Sequence, residues 1–176
     1  SLSDNEETQD VVEFCEQHGI DYIPLHVKIV TGTDGKKAKL LQHDFLGYKP
    51  KQTDFEKNPG VVKTRVERFK EYPSEYTHIG IDTRVIHQVD IDCEEYSDEI
   101  KEILDTHPYT GSSTKEYGRH IFVRDTLFDA PNNRSQFKKH HGTAVELLTG
   151  QWAWCPLDMP VHNANKEFNF SGLDGM

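Results

Sequence analysis

Read for hydrophobic spacing alone, the chain opens helical and turns β-rich. "EETQDVVEFCEQHGI" gathers Val11, Val12, Phe14 and Cys15 on one side and ends at Gly19, the position of a C-terminal cap. "DYIPLHVKIV" and "KKAKLL" flank the turn-rich "TGTDGK", which predicts a hairpin. Residues 42 to 60, with Gly47, Pro50, Pro59 and Gly60, read as loop. "GVVKTRVERFKEY" predicts a second helix with Val62, Val66 and Phe69 on one face and Pro73 beyond its end. From there the period falls to two. "YTHIGIDTR" and "IHQVDIDC" alternate as a strand pair would, and "SDEIKEILDTH" is a helix capped by Ser97 with the stripe Ile100, Ile103, Leu104. "YTGSS" and "RHIFVRD" predict two strands joined by a polar turn, "DAPNNRSQFKKHHG" a loop, and "TAVELLTG" with "QWAWCPL" a hairpin turning at Gly150. The sum is an α+β domain: a mostly antiparallel central sheet flanked by helices.

At 176 residues the chain fits one domain spanning 1–176, with 1–9 and about 162–176 expected to be flexible or peripheral. Net charge is -10, and residues 1 to 21 carry seven carboxylates with no Lys or Arg, so the remainder is close to balanced. Such a balance neither demands nor excludes a nucleic-acid partner; a grip on duplex through many phosphates usually needs a basic body, so any such grip is local or supplied by another domain. The clearest basic run is Lys138, Lys139, His140 and His141, for which a solvated loop is the plainer reading. Cys15, Cys93 and Cys155 are few and far apart, which argues against a disulfide framework and for a reducing compartment, cytoplasmic rather than secreted. No apolar run approaches the ~18 residues of a membrane span, so no membrane partner is expected.

The candidate chemistry starts at "IHQVDIDCEE". In a strand, positions i and i+2 share a face, so Asp90 and Asp92 stand together with Gln88 while Val89 and Ile91 point the other way. Two carboxylates about 7 Å apart repel unless a cation lies between them, and oxygen donors suit Mg²⁺ or Mn²⁺. A solvated strand face is the bland alternative. In "SSTKEYGRH" hydroxyls, Lys115, Arg119 and His120 precede the apolar "IFV"; a His and an Arg at a strand mouth can bind phosphate oxygens, although an ordinary polar hairpin has the same composition. Glu146 in "TAVELL" faces away from Val145 and Leu147. If its strand lies beside that of Asp90, three carboxylates converge and could hold two metals ~3.5–4 Å apart, the arrangement used for in-line displacement at phosphorus. Asp82 reads as a strand-end turn. Cys155 with His140, His141 and His162 follows no zinc-site spacing, and Trp152 and Trp154 read as packing.

The order of these pieces resembles the archaeo-eukaryotic primase superfamily, in particular its primase-polymerase branch from viral, phage and plasmid replication proteins, and more narrowly the N-terminal domain of large-DNA-virus primase-helicases. "VDID" is similar to the metal-binding first motif, "SSTKEYGRH" to the second, and "VEL" to the third. The resemblance covers roughly residues 10 to 160 and implies a primase-like fold with an RRM-like catalytic core. It implies a metal-dependent nucleotidyltransferase, a DNA primase or polymerase that makes or extends primers in DNA replication. Asp90, Asp92 and Glu146 would hold Mg²⁺ or Mn²⁺. His120 and Arg119, helped by Lys115 and Ser113 (or Ser112), would bind the incoming nucleoside triphosphate. The implied partners are nucleoside triphosphates, a single-stranded DNA template and a helicase domain in the parent chain, in the cytoplasm or a host-cell replication compartment. Two departures stand out: Glu146 sits where many members have Asp, and "TKEYGRH" replaces a tighter Gly-rich turn. The alternatives are another carboxylate–metal enzyme such as a nuclease, or an inactive nucleic-acid-binding module on the same fold.

Overall fold

The computed structural model describes residues 7–112, 114–124 and 144–167. Helix α1, Val11–Gln17, starts where the Asp10 carboxylate accepts from the backbone of Val12 (2.9 Å) and Glu13 (3.1 Å). It stops at Gly19, whose φ of 65° suits a residue without Cβ. Strands β1 (Tyr22–Leu25), β2 (Val27–Thr31) and β3 (Lys37–Leu41) follow. The stretch expected to be loop contains a four-residue helix, α2, Asp54–Lys57. Its cause is Asp54, fully buried, whose carboxylate accepts from Tyr48 Oη, Lys51 N and Asn58 Nδ2 and so closes the turn that the flanking prolines and glycines disguise. Pro59 then opens α3, Pro59–Glu71, at the first helical position, where its missing N–H costs nothing. The remaining elements are β4 (His78–Ile81), β5 (His87–Ile91), α4 (Asp98–Thr106), β6 (Tyr109–Gly111), β7 (Arg119–Val123), β8 (Val145–Leu148) and β9 (Ala153–Pro156).

The strands form two main antiparallel sheets, ordered β1-β4-β9 and β6-β7-β5-β8, plus the separate hairpin β2-β3. Two expected pairings give way to others. β4 does not pair with β5, nor β8 with β9; each pair is split between the sheets. The reason is burial. All four residues of β4 are buried, so that strand has both faces covered and neighbours on both edges. Pro24, which cannot donate to a ladder, lies on β1, an edge strand of its sheet.

The two sheets face each other. Phe122 of the second sheet packs with Ile79, Ile81 and Cys155 of the first and with α1, its ring 4.9 Å from that of Phe14. The outer face of the second sheet, with Val89, Ile91, Ile121, Val123, Val145 and Leu147, is covered by Ile100 and Ile103 of α4. Outside the first sheet, Ile23 and Leu25 pack against Phe55, Val61, Val62, Trp152 and Trp154. The helix α3 stripe is only partly buried; its one buried residue is Arg65, whose Nε donates to Asp44 at 2.6 Å.

Both crossings between sheets, residues 82–86 and 149–152, lie at the same end of the sandwich, next to Ile81, Ala153, His87 and Leu148. There Thr83 Oγ1 donates to the carbonyl of Gln151, joining one crossing to the other. The opposite end is open. It carries Leu25, His78 and Pro156 on the first sheet, and Ile91, Arg119 and Val145 on the second. The hairpin β2-β3 leaves the body at this open end, directly after Leu25. The outer stretches are tied to each other: Gln9 and Val161 exchange backbone hydrogen bonds of 3.0 and 2.8 Å, and His162 does the same with Tyr109.

Candidate active site at the open end of the sandwich

Strand β5 sorts its side chains by the alternation of the pleat. Val89 and Ile91 go to α4; Gln88, Asp90 and, one residue past the strand, Asp92 go to the inner face. The Asp92 N–H still donates to Ala144 O at 2.8 Å, so the ladder to β8 runs on to the end. The register then sets Asp90 directly opposite His120 on β7 and directly opposite Glu146 on β8. Gln88 is buried, Asp90 is half-buried, and Asp92 and Glu146 are exposed, so the row passes from core to solvent as it approaches the open end.

Crowded carboxylates perturb one another. Burial first, then the charge of Asp92 and that of Glu146, pushes the Asp90 carboxyl up to about 6, with Lys39 and Lys115 pulling the other way. Lys115 sits in the turn between β6 and β7 and places its Nζ 2.6 Å from Asp92 Oδ2. That turn is held by Tyr96 Oη donating to Tyr117 O, and Gly118 fits it because a Cβ there would come within 2.6 Å of the Ser112 Cβ.

His120 is buried, its ring pulled down to about 4 by desolvation and then by the positive charge of Lys39, against a smaller pull from Asp92. It is therefore neutral near pH 7. Its Nδ1, 3.8 Å from Asp90 Oδ1, is neither an ion pair nor a hydrogen bond, and that buried nitrogen has no partner. Across the next ladder step, opposite His120, Thr110 is fully buried, and its Oγ1 too has no partner. Gln88 Nε2 reaches Cys155 Sγ at 3.8 Å while its Oε1 has none.

Several expected participants lie elsewhere. Arg119 pairs with Ile91 and so shares the outer face; its guanidinium donates to the carbonyls of Glu116 and Gly118, both at 2.8 Å, and lies over Tyr109. Adjacent strand residues cannot serve the same face, so Arg119 is not brought to His120. Ser113, Lys138, Lys139, His140 and His141 lie outside the described residues. Asp82 closes a turn onto Arg84, which it holds through both carboxylate oxygens. Trp152 and Trp154 meet edge to face at 5.8 Å and pack outside the first sheet.

Two residues were missed by the sequence reading. Thr110 lies in the predicted strand end "YTGSS"; its signal is the antiparallel pairing of "YTG" with "RHI", which sets it opposite His120. Lys39 is half-buried on β3, its ammonium 5.9 Å from the centre of the Trp154 ring. Its charge is felt at Asp90, His120, His78 and Cys155. The alternation of "KAKLL" puts Lys37, Lys39 and Leu41 on one face, and Leu41 packs inward.

Among the described residues no three His, Cys, Asp or Glu side chains are gathered closely enough to hold one ion. The donor set nevertheless suits a hard cation: Asp90 and Asp92 share a face, Glu146 stands opposite Asp90, burial and then the neighbouring carboxylate charges raise Asp90, and Asp92 already attracts an ammonium. No family model, curated protein or solved structure matches this chain.

Proposed function

We propose that this chain is a metal-dependent nucleotidyltransferase domain of the primase-polymerase kind, which makes or extends primers on a single-stranded DNA template. The observation that supports the reading is the register that puts Asp90 opposite both His120 and Glu146, with Asp92 beyond it, at one accessible end of the sandwich. In this reading Asp90, Asp92 and Glu146 hold Mg²⁺ or Mn²⁺, which when bound neutralises the carboxylates and the triphosphate and activates the attacking 3'-hydroxyl. Neutral His120 binds a phosphate oxygen by donating from a ring N–H, since a buried imidazole needs no charge to donate. Lys115, which holds Asp92 at 2.6 Å, would be the side chain that turns to the phosphates.

Replacing both Asp90 and Asp92 by Ala is expected to reduce primer synthesis or extension at least a thousandfold, with circular dichroism and melting close to the parent protein. Synthesis at parental rates by that double variant would sink the reading. The contact between Lys115 and Asp92 favours a second reading, a nucleic-acid-binding module without catalysis in which the ammonium is the permanent counter-ion. Calorimetric titration with Mn²⁺ and a deoxynucleoside triphosphate separates the two: heat of binding goes with the enzyme, and its absence goes with the module.

A further inference from the structure

The net charge of -10 conceals a segregation. Residues 26–51 carry six lysines against Asp34 and Asp44, a net +4, so the rest of the chain stands at -14. Asp44 is already engaged by Arg65. Lys28, Lys36, Lys37, Lys49 and Lys51 are exposed, and among the described residues none of them pairs with a carboxylate. This stretch is the hairpin β2-β3 and the loop that follows it. The hairpin register sets Lys28 opposite Leu40, and one further rung at each end is made by Gly32 N donating to Lys36 O and Gln42 N donating to His26 O, both at 2.8 Å. By the alternation of the pleat, Lys36 and Lys28 stand on the outer face, away from Val27 and Lys39, with His26 at its base.

At that base the chain builds a braced tip. Gly47 N donates to Asp44 O at 2.9 Å, which puts Phe45 and Leu46 at the corner of a turn. The Asp44 carboxylate clamps the turn from below: one oxygen accepts from the amides of Leu46 and Tyr48 at 2.9 and 3.0 Å, the other from Arg65 of α3 at 2.6 Å. A phenylalanine in a loose loop would fold its ring onto the body. Held this way, Phe45 stays 62% exposed, its ring stacked on His26 with centroids 5.6 Å apart and planes 22° apart.

An aromatic ring fixed in solvent beside unpaired ammonium groups is the chemistry that receives single-stranded nucleic acid: a base stacks on the ring and the phosphates meet the lysines. Duplex fits less well, because its bases are stacked within it and the acidic remainder of the chain repels a broad polyanion. A protein partner would look for a contiguous apolar patch, whereas the exposed Ile29 and Leu40 lie on opposite faces of the hairpin.

We propose that the outer face of the hairpin, from Lys36 through Lys28 to the stack of Phe45 on His26, is a docking surface for single-stranded nucleic acid. The row runs about 20 Å along the strands, room for about four nucleotides, the small end of single-strand sites. The hairpin leaves the body at the open end of the sandwich, so a strand lying on it passes beside the mouth that carries Asp92. That such a strand serves as template rests on the nucleotidyltransferase reading; its docking does not.

The test uses the whole chain and a fluorescent oligo(dT) of about twelve residues, followed by anisotropy in EDTA so that no metal takes part. Phe45→Ala is expected to melt close to the parent and to bind the oligonucleotide about tenfold more weakly, while Phe45→Trp binds at least as well as the parent and is quenched by the bases. Replacing both Lys28 and Lys36 by Gln is expected to make the fall of log affinity with log salt shallower by about 1.4, two phosphate contacts' worth on a single strand. Duplex of the same length is expected to bind more weakly and to be indifferent to Phe45. The proposal is overturned if the folded parent binds no oligo(dT) at low salt, if affinity is unchanged in Phe45→Ala and the salt slope in the lysine variant, or if duplex binds as tightly as single strand. It is equally overturned if Phe45→Ala dissolves a self-associated parent in sedimentation while oligo(dT) binding stays intact, which would assign the tip to a protein contact. Oligo(dT) binding that depends on Phe45 and the lysines, in a protein that incorporates no nucleotide under any metal, leaves the surface standing and removes the polymerase. Incorporation by a protein whose oligo(dT) binding ignores all these substitutions removes the surface alone.

Discussion

Asp90 is the residue on which stability and chemistry pull in opposite directions. Its carboxyl is raised to about 6, against ~3.9 in an unfolded chain, so the folded state favours the protonated form. The stability tied to this group is complete below about pH 4 and is lost as pH rises through about 6. Asp90→Asn is therefore expected to stabilise the protein at pH 7 by about 1 kcal/mol, a figure reduced for the solvent screening of a side chain 35% exposed, and to give no gain at pH 4. Urea melts of both proteins at the two pH values check this, and an equal gain at pH 4 would show that charge is not the cause. A divalent cation reverses the preference, since it binds the ionised form and displaces the proton. Affinity for Mn²⁺ is expected to rise about tenfold per pH unit up to pH 6 and to flatten above it, which calorimetry across pH 5 to 8 would resolve. At this scale the sequence was informative wherever a face could be counted along one strand, as for Asp90, Asp92 and His120. It misled at Arg119, where being adjacent to His120 in sequence means lying on the other side of the sheet.

The elements themselves were largely legible, because each is announced by local chemistry: Asp10 and Ser97 cap their helices through the side chain, and the stripe of Ile100 and Ile103 marks α4. What the sequence hid was partnership. Neighbouring strands with matching alternation suggest hairpins, yet β4 and β5 went to different sheets, since His78 to Ile81 are covered on both sides and Gly80 leaves room for the Trp152 ring, 2.8 Å from where a Cβ would lie. Helix α3 shows a similar limit. Its apolar stripe points to a core seat, while its buried anchor is a charge: Arg65 at 2.6 Å from Asp44, under the Tyr48 ring, with the other Asp44 oxygen accepting from Leu46 and Tyr48 backbone amides. Removing one member of such a pair strands the other in a dry site. Arg65→Ala is expected to cost about 3 kcal/mol in urea denaturation, whereas Lys70→Ala, which breaks an exposed contact to Glu16, is expected to cost well under about 1.

For the molecule as a whole, Asp90, His120 and Glu146 share one face of the second sheet because its antiparallel register sets them opposite one another, while both crossings between the sheets lie at the other end. Asp90 and Glu146, 56 residues apart in numbering, come from strands that lie side by side, and Lys39 comes from a hairpin that belongs to neither sheet. The stitch between Thr83 and Gln151 has a mechanical consequence. Two plates fastened along one margin separate most at the opposite margin, so a small rotation about residues 82–86 and 149–152 barely moves Gln88 but sweeps Asp92, four residues and about 13 Å further along, through a larger arc. Thr83→Val cuts the stitch without touching the carboxylates. It is expected to speed amide exchange at the mouth more than at the seam, because the first sheet, with His78 and Pro156, would no longer be held at a fixed distance from the second, with Ile91 and Arg119.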